Sequence, residues 1–255
     1  MESGTLKRSG QLLAPSLFTM GNMACGFYAL LNAHVGEYST AAKCILGGIV
    51  FDMLDGRIAR LVHGESSFGV EFDSLADFLT FGVAPAYMMY ALFLKDYGIW
   101  GYVAAFIYTL CGGLRLARFN AYAHAGKGSK THFTGLPIPG GAGVLASFVL
   151  LYSLIEQRDP SSPEGFWGHW IPVLATAGPF LVVALGALMA STIPYGAFKQ
   201  VDLLQPQNRK LLAVVMLILA LVYVYPENSL FLMFFLYALS GFVRRRAAPA
   251  AEKHP

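Results

Sequence analysis

The sequence predicts an all-α integral membrane protein, a bundle of about eight transmembrane helices forming one polytopic domain over residues 1–255. Three observations carry this. Of the 255 residues, 56% are hydrophobic and only 13% charged, whereas about a quarter of a soluble domain is charged. Apolar stretches of about 20 residues, long enough to cross a bilayer, recur along the chain. Lys and Arg collect in alternate connections, which is how cytoplasmic span ends are marked.

Taken in order, spans are expected at roughly 12–33, 39–62, 69–94, 98–120, 138–156, 170–192, 210–225 and 229–243. The first holds SLFTMGNMACGFYALLNA and has no small-residue cleavage pattern, so it is read as a retained helix. The second and third, ILGGIVFDMLDGRIAR and LADFLTFGVAPAYMMYALFL, are apolar apart from a set of aspartates near their shared loop. The fourth ends in LRLARFNAY, and the fifth is entered through FTGLPIPGG, where Pro137 and Pro139 shape a helix start. IPVLATAGPFLVVALGALMA forms the sixth. The seventh, LLAVVMLILALVYVY, is short, and LFLMFFLYALSGFV makes the eighth. A core of about 12–192 and additional C-terminal helices over about 210–246 are expected.

Orientation follows from the basic residues. Lys7 and Arg8, then Arg115, Arg118, Lys127 and Lys130, then Lys199, Arg209 and Lys210, and finally Arg244, Arg245 and Arg246 all fall on one side of an eight-span bundle. The other side has Lys95 and Arg158, with Lys43 a little inside. Both termini are therefore expected in the cytoplasm, with the aspartates near that face, in the cytoplasmic (inner) membrane of a prokaryote. The net charge of +3 is spread along one membrane face without a dense patch. It suits membrane lipid headgroups, and no nucleic-acid partner is expected. Cys25, Cys44 and Cys111 are scattered within spans and suggest neither a disulfide framework nor a zinc site.

The chemistry is concentrated between Asp52 and Asp77. Asp52 and Asp55 lie about 60° apart on a helix, with Gly56 and Ala59 within about 40° of Asp52. Asp73 and Asp77 are one turn apart on the next helix, with Gly69 one turn before them. Each charge at the bilayer centre costs roughly 2.5–3.5 kcal/mol. Arg57 and Arg60 point about 160° and 140° away from Asp55, so ion pairing does not explain the four carboxylates. Two helices joined by a short loop direct them at one spot beside residues with almost no side chain, which suits hard cations and a bulky anionic ligand. A cation transporter is the alternative from a different class. It would place acidic groups near the midplane in duplicated halves, and no such repeat is present. On the fourth span, Arg115 and Arg118 one turn apart, with Asn120 beyond, form a candidate acceptor site, because an arginine fork pairs with carboxylate or phosphate. Asn22 in TMGNMACGF offers a polar contact to the donor or a buried interhelical hydrogen bond.

The spacing D-x2-D-G-x2-A-R-x8-G-x3-D-x3-D, carried by Asp52, Asp55, Gly56, Ala59, Arg60, Gly69, Asp73 and Asp77, resembles the signature of the CDP-alcohol phosphotransferase family at every fixed position. Members transfer a phosphoalcohol from a CDP-linked donor to a second alcohol and release CMP. The resemblance implies that Asp52, Asp55, Asp73 and Asp77 surround two divalent cations, Mg²⁺ or Mn²⁺, with Asp77 also acting as general base on the incoming hydroxyl. It further implies that Gly56, Ala59, Arg60, Gly69 and Asn22 receive the nucleotide donor. TMGNMACGF, RLARFN and FTGLPIP are similar to the serine-accepting bacterial and archaeal branch of that family. That likeness implies CDP-diacylglycerol as donor, L-serine as acceptor and a homodimer. Glycerol 3-phosphate, an inositol compound or choline are the alternative acceptors within the family.

Overall fold

The computed structural model describes residues 2–62, 67–124, 132–158, 170–196, 221 and 223–247. Eight α-helices are present among them: α1 (Glu2–His34), α2 (Tyr38–Val62), α3 (Ser67–Asp77), α4 (Ala84–Met89), α5 (Ile99–His124), α6 (Ile138–Arg158), α7 (Trp170–Ala190) and α8 (Pro226–Ala247). Helices α3 and α4 belong to one rod that runs on to Tyr97. Four helical stretches of the described residues are long and apolar enough to cross a bilayer: Phe68–Tyr97, Ile99–Tyr122, Ile138–Glu156 and Pro172–Ala190. They coincide with the third to sixth predicted spans. Helices α1, α2 and α8 overlap the first, second and eighth, and residues 210–220 of the seventh lie outside the described residues. In hydrocarbon every backbone N–H and C=O needs an internal partner, so apolar runs of this length close into helices.

Helix α6 stands at the centre of the bundle. From Gly140 to Leu150 every residue is buried, as expected of a helix that is apolar on all sides. Its glycines let a neighbour approach: a methyl at Gly140 would lie 2.9 Å from the Tyr237 ring, and one at Gly143 would strike Phe234, both on α8. Helix α1 packs along α2, turning back through Gly36 at φ 87°. Helix α7 packs on α5.

The rod from Ser67 to Tyr97 is not uniformly α-helical. It widens into π-helical turns at Phe78–Val83 and Tyr90–Leu94. Pro85 accounts for the first of these, because it brings no N–H for the carbonyl of Phe81 four residues earlier. Another helix supplies the missing donor: the buried Tyr108 hydroxyl of α5 donates to that Phe81 carbonyl at 3.2 Å. The wide turn begins immediately after Asp77, and such turns frequently lie at functional sites.

Among the described residues the fold is all-α apart from one short strand pairing. Strands β1 (His132–Thr134) and β2 (Pro194–Gly196) pair antiparallel, with Phe133 opposite Tyr195. The FTGLP stretch precedes α6, which begins at Ile138, so its donors go elsewhere: Gly135 N–H to Ile193 O at 2.9 Å and Leu136 N–H to Leu188 O at 3.0 Å. Gly135, at φ 82°, passes so close to the Met189 carbonyl that no side chain fits.

Tyr108→Phe should remove this donor from the buried Phe81 carbonyl. A loss of about 1–3 kcal/mol of stability is expected, read as a lower unfolding temperature in detergent; an unchanged midpoint would show that the carbonyl is satisfied otherwise.

Candidate metal centre and active site

The C-terminal half of α2 carries Asp52 and Asp55, and α3 carries Asp73 and Asp77. One carboxylate oxygen from each of Asp52, Asp55 and Asp73 comes within 4.8 Å of the other two. At an effective dielectric near 20, like charges so close repel by about 3–4 kcal/mol per pair. A cation among the three, or a proton shared between two of them, relieves that repulsion. One atom tests the fit directly: Asp73 Oδ1 is buried and has no hydrogen-bond partner among the described residues. A free lone pair on a hard oxygen beside two more carboxylates is the donor set that divalent cations take. Space is available as well, because no atom of the described residues lies within 4 Å of where a side-chain carbon at Gly56 would project.

Helix α1 faces the carboxylates with donors. Thr19 Oγ1 donates to Asp55 Oδ2 at 3.2 Å, and Asn22 Nδ2 donates to Asp77 Oδ1 at 2.9 Å. Both acceptors are buried, and Asn22 is 0% exposed. Of the two readings of Asn22 open from sequence, the structure displays the interhelical hydrogen bond. Asp77 is not among the trio of closely spaced oxygens. Thr19 carries no signal in the sequence beyond its place three residues before Asn22.

Gly69 lies on α3 one turn ahead of Asp73 and is half-buried. Ala59 and Arg60 lie on the last turns of α2, and their side chains fall outside the described residues. On α5, Arg115 reaches into electrostatic range of both Asp77 and Tyr237. Its buried Nε has no hydrogen-bond partner among the described residues. Tyr237 comes from α8, and a lone tyrosine within LFLMFFLYALSGFV gave no reason to expect it near the site. Arg118 is half-buried one turn further along α5.

The structure places Asn120 on the far side of α3. Its amide donates to Ser74 Oγ at 2.9 Å, and Ser74 in turn donates to the Val70 carbonyl at 3.1 Å. Both residues line a groove of about 360 Å³ between α3 and α5, together with Glu71, Leu75, Phe78 and Leu116. Glu71 and Leu75 project about 160° around the helix from Asp73, so this groove and the carboxylates occupy opposite faces of α3.

Comparison with known proteins points one way. The profile of the CDP-alcohol phosphatidyltransferase family matches residues 12–181. The chain is 33% identical over 232 residues to a CDP-diacylglycerol–serine O-phosphatidyltransferase of Helicobacter pylori (strain J99), covering 91% of this chain and 90% of that protein. It is 34% identical over 186 residues to an archaetidylserine synthase of Methanothermobacter thermautotrophicus, covering 71% of this chain and 68% of that one. A CDP-diacylglycerol–serine O-phosphatidyltransferase of Mycobacterium tuberculosis (strain H37Rv) is 34% identical over 208 residues, 79% of this chain and 67% of its own length. The profile match and the extent of these likenesses mean that the chain belongs to the CDP-alcohol phosphatidyltransferase family.

Proposed function

We propose that this protein transfers the phosphatidyl group of CDP-diacylglycerol to the hydroxyl of L-serine, yielding phosphatidylserine and CMP. The observation that carries the reading is the convergence of Asp52, Asp55 and Asp73 while Asp77 is held separately by Asn22. Relatives that match over most of their length are named for this transfer. In the reaction the serine oxygen bonds to the phosphatidyl phosphorus and the bond from that phosphorus to the CMP oxygen breaks. Asp77 takes the hydroxyl proton as general base.

Asp52, Asp55 and Asp73, with Asp77 alongside, would hold the cations, which we take to be two Mg²⁺ or Mn²⁺. When bound, such ions neutralise charge on the pyrophosphate and align attacking and leaving oxygens. The remaining work falls to the chain itself. Gly56, Ala59 and Gly69 leave room for the nucleotide against the α2 and α3 backbones, and Arg60 binds a phosphate. Arg115 and Arg118 receive the serine carboxylate, for which a planar guanidinium offers paired donors. Asn120, expected beside these arginines, instead ties α5 to α3 through Ser74. We read the whole chain as one membrane domain of eight spans, acting as a homodimer, with both termini and the site on the cytoplasmic side. The placement of Lys and Arg supports that orientation, and a cytosolic nucleotide-activated donor requires it.

Purified protein given CDP-diacylglycerol and Mn²⁺ should release CMP with L-serine well above the rate with glycerol 3-phosphate, inositol compounds or choline; no response to serine would reject the acceptor. Asp77→Asn should lower turnover by about 100-fold or more while CDP still binds, and retained turnover would remove Asp77 as the base. Asp73→Asn should weaken Mn²⁺ binding, measured calorimetrically, by about tenfold or more. Gly56→Leu should block the nucleotide without unfolding the bundle, so unchanged CDP affinity would contradict its place in the cradle.

A further inference from the structure

We infer that Tyr237 of α8 is a specificity-determining residue for the acceptor alcohol, sharing with Arg115 of α5 the recognition of the acceptor's anionic group, and that the β1–β2 strand pair fixes it there through Tyr195. The inference rests on the phosphotransfer reading above, in which Arg115 receives the acceptor.

Two helices reach the first turn of α6 from different sides. On α5, Gly112 faces it so closely that a side-chain carbon there would lie 2.8 Å from Ile138 Cδ1. Arg115 follows one turn later on that side of α5. On α8, the Tyr237 ring lies 2.9 Å from where a side-chain carbon at Gly140 would project. Arg115 and Tyr237 thus converge from distant parts of the chain and come within electrostatic range of each other. Arg115 Nε is buried and has no hydrogen-bond partner among the described residues. A guanidinium with an N–H left over in such a place is set for an incoming anion. Nε with a neighbouring terminal nitrogen makes a paired-donor edge that fits carboxylate or phosphate.

Packing explains the Tyr237 ring but not its hydroxyl. One turn earlier on α8, Phe234 packs on Gly143 as Tyr237 packs on Gly140. Phenylalanine therefore suffices for docking α8 on α6, and the one hydroxyl in the run FLMFFLY stands where Arg115 approaches. A phenol adds a donor for an anion's oxygen without adding charge. Helix α8 also lies beyond residues 12–181, the stretch shared with the family as a whole. A determinant of acceptor choice, as opposed to the common donor chemistry, is expected outside that stretch.

A second tyrosine holds the first in place. Tyr195 is 0% exposed, and its hydroxyl donates to the Ala238 carbonyl at 2.9 Å. Its ring centroid lies 6.0 Å from that of Tyr237, tilted by 53°. The ring fits because residue 241 is glycine; a side-chain carbon there would lie 2.5 Å from Tyr195 Cζ. Strand β2 carries Tyr195 opposite Phe133 of β1, and β1 leads into the entry of α6. The strand pair thus braces α8 against the end of α6 that both Arg115 and Tyr237 approach.

Tyr237→Phe keeps the ring and removes the hydroxyl. With L-serine, KM should rise about tenfold or more, while kcat and the affinities for CDP and Mn²⁺ stay within about threefold. The preference for L-serine over serinol, which lacks the carboxylate, should narrow by the same factor. A merely structural role would weaken CDP and Mn²⁺ binding together with KM; that result, an unchanged KM, or an unchanged preference would overturn the assignment. Tyr195→Phe should raise the serine KM about threefold with CDP affinity retained, and an unchanged KM would remove the brace. CMP release with glycerol 3-phosphate in place of serine would overturn the substrate reading, and the same comparison on that phosphate, against glycerol, would then decide Tyr237. A preference of the unmodified protein for an alcohol without an anionic group would overturn both.

Discussion

Mutual repulsion among buried carboxylates is the constraint on which the rest depends. Asp52, Asp55 and Asp73 bring oxygens within 4.8 Å of each other inside a mostly apolar bundle, where unpaired charge is expensive. No packing of apolar side chains offsets that cost at the same spot; cations or donors must. Among the described residues, Thr19 donates to Asp55 and Asn22 to Asp77, while Asp73 Oδ1 has no hydrogen-bond partner. This uneven distribution distinguishes the oxygens of the closely spaced trio from the Asp77 oxygen bonded to Asn22.

The framework around the carboxylates is correspondingly stiff. Helix α6 forms the centre, and its glycine face receives α8, which brings Tyr237 into electrostatic range of Arg115. The rod bearing Asp73 and Asp77 is widened where Pro85 withholds an N–H, and Tyr108 satisfies the carbonyl that this exposes. Thr80 anchors the widened turn to α1 through the Asn22 carbonyl. An irregular helix at membrane depth is tolerable because Thr80, Phe81 and Gly82 at its centre are buried in protein.

Much of this was legible in the sequence, for identifiable reasons. The spacing of Asp52, Asp55, Gly56, Asp73 and Asp77 reads directly as one converging face because helical angles depend on sequence separation alone. Helix positions followed from hydrophobic length. Pairings across the fold could not be read in that way: Thr19 meets Asp55 from 36 residues away and Asn22 meets Asp77 from 55, and no periodicity encodes such partners. Tyr237 was hidden for the same reason. The FTGLPIP prolines signalled a break in regular helix, but the strand that pairs with it, Pro194–Gly196, lies some sixty residues on in the chain. Asn120 shares a helix with Arg115, five residues on, which turns it about 140° away and toward Ser74; a short distance along the chain was no guide to a shared site.

The most direct test of the central claim is anomalous X-ray scattering from protein loaded with Mn²⁺ and a CDP-lipid. Anomalous peaks within about 2.0–2.6 Å of carboxylate oxygens of Asp52, Asp55 and Asp73 are the expected result. Manganese bound elsewhere, or these carboxylates turned toward separate surroundings with no ion between them, would contradict it.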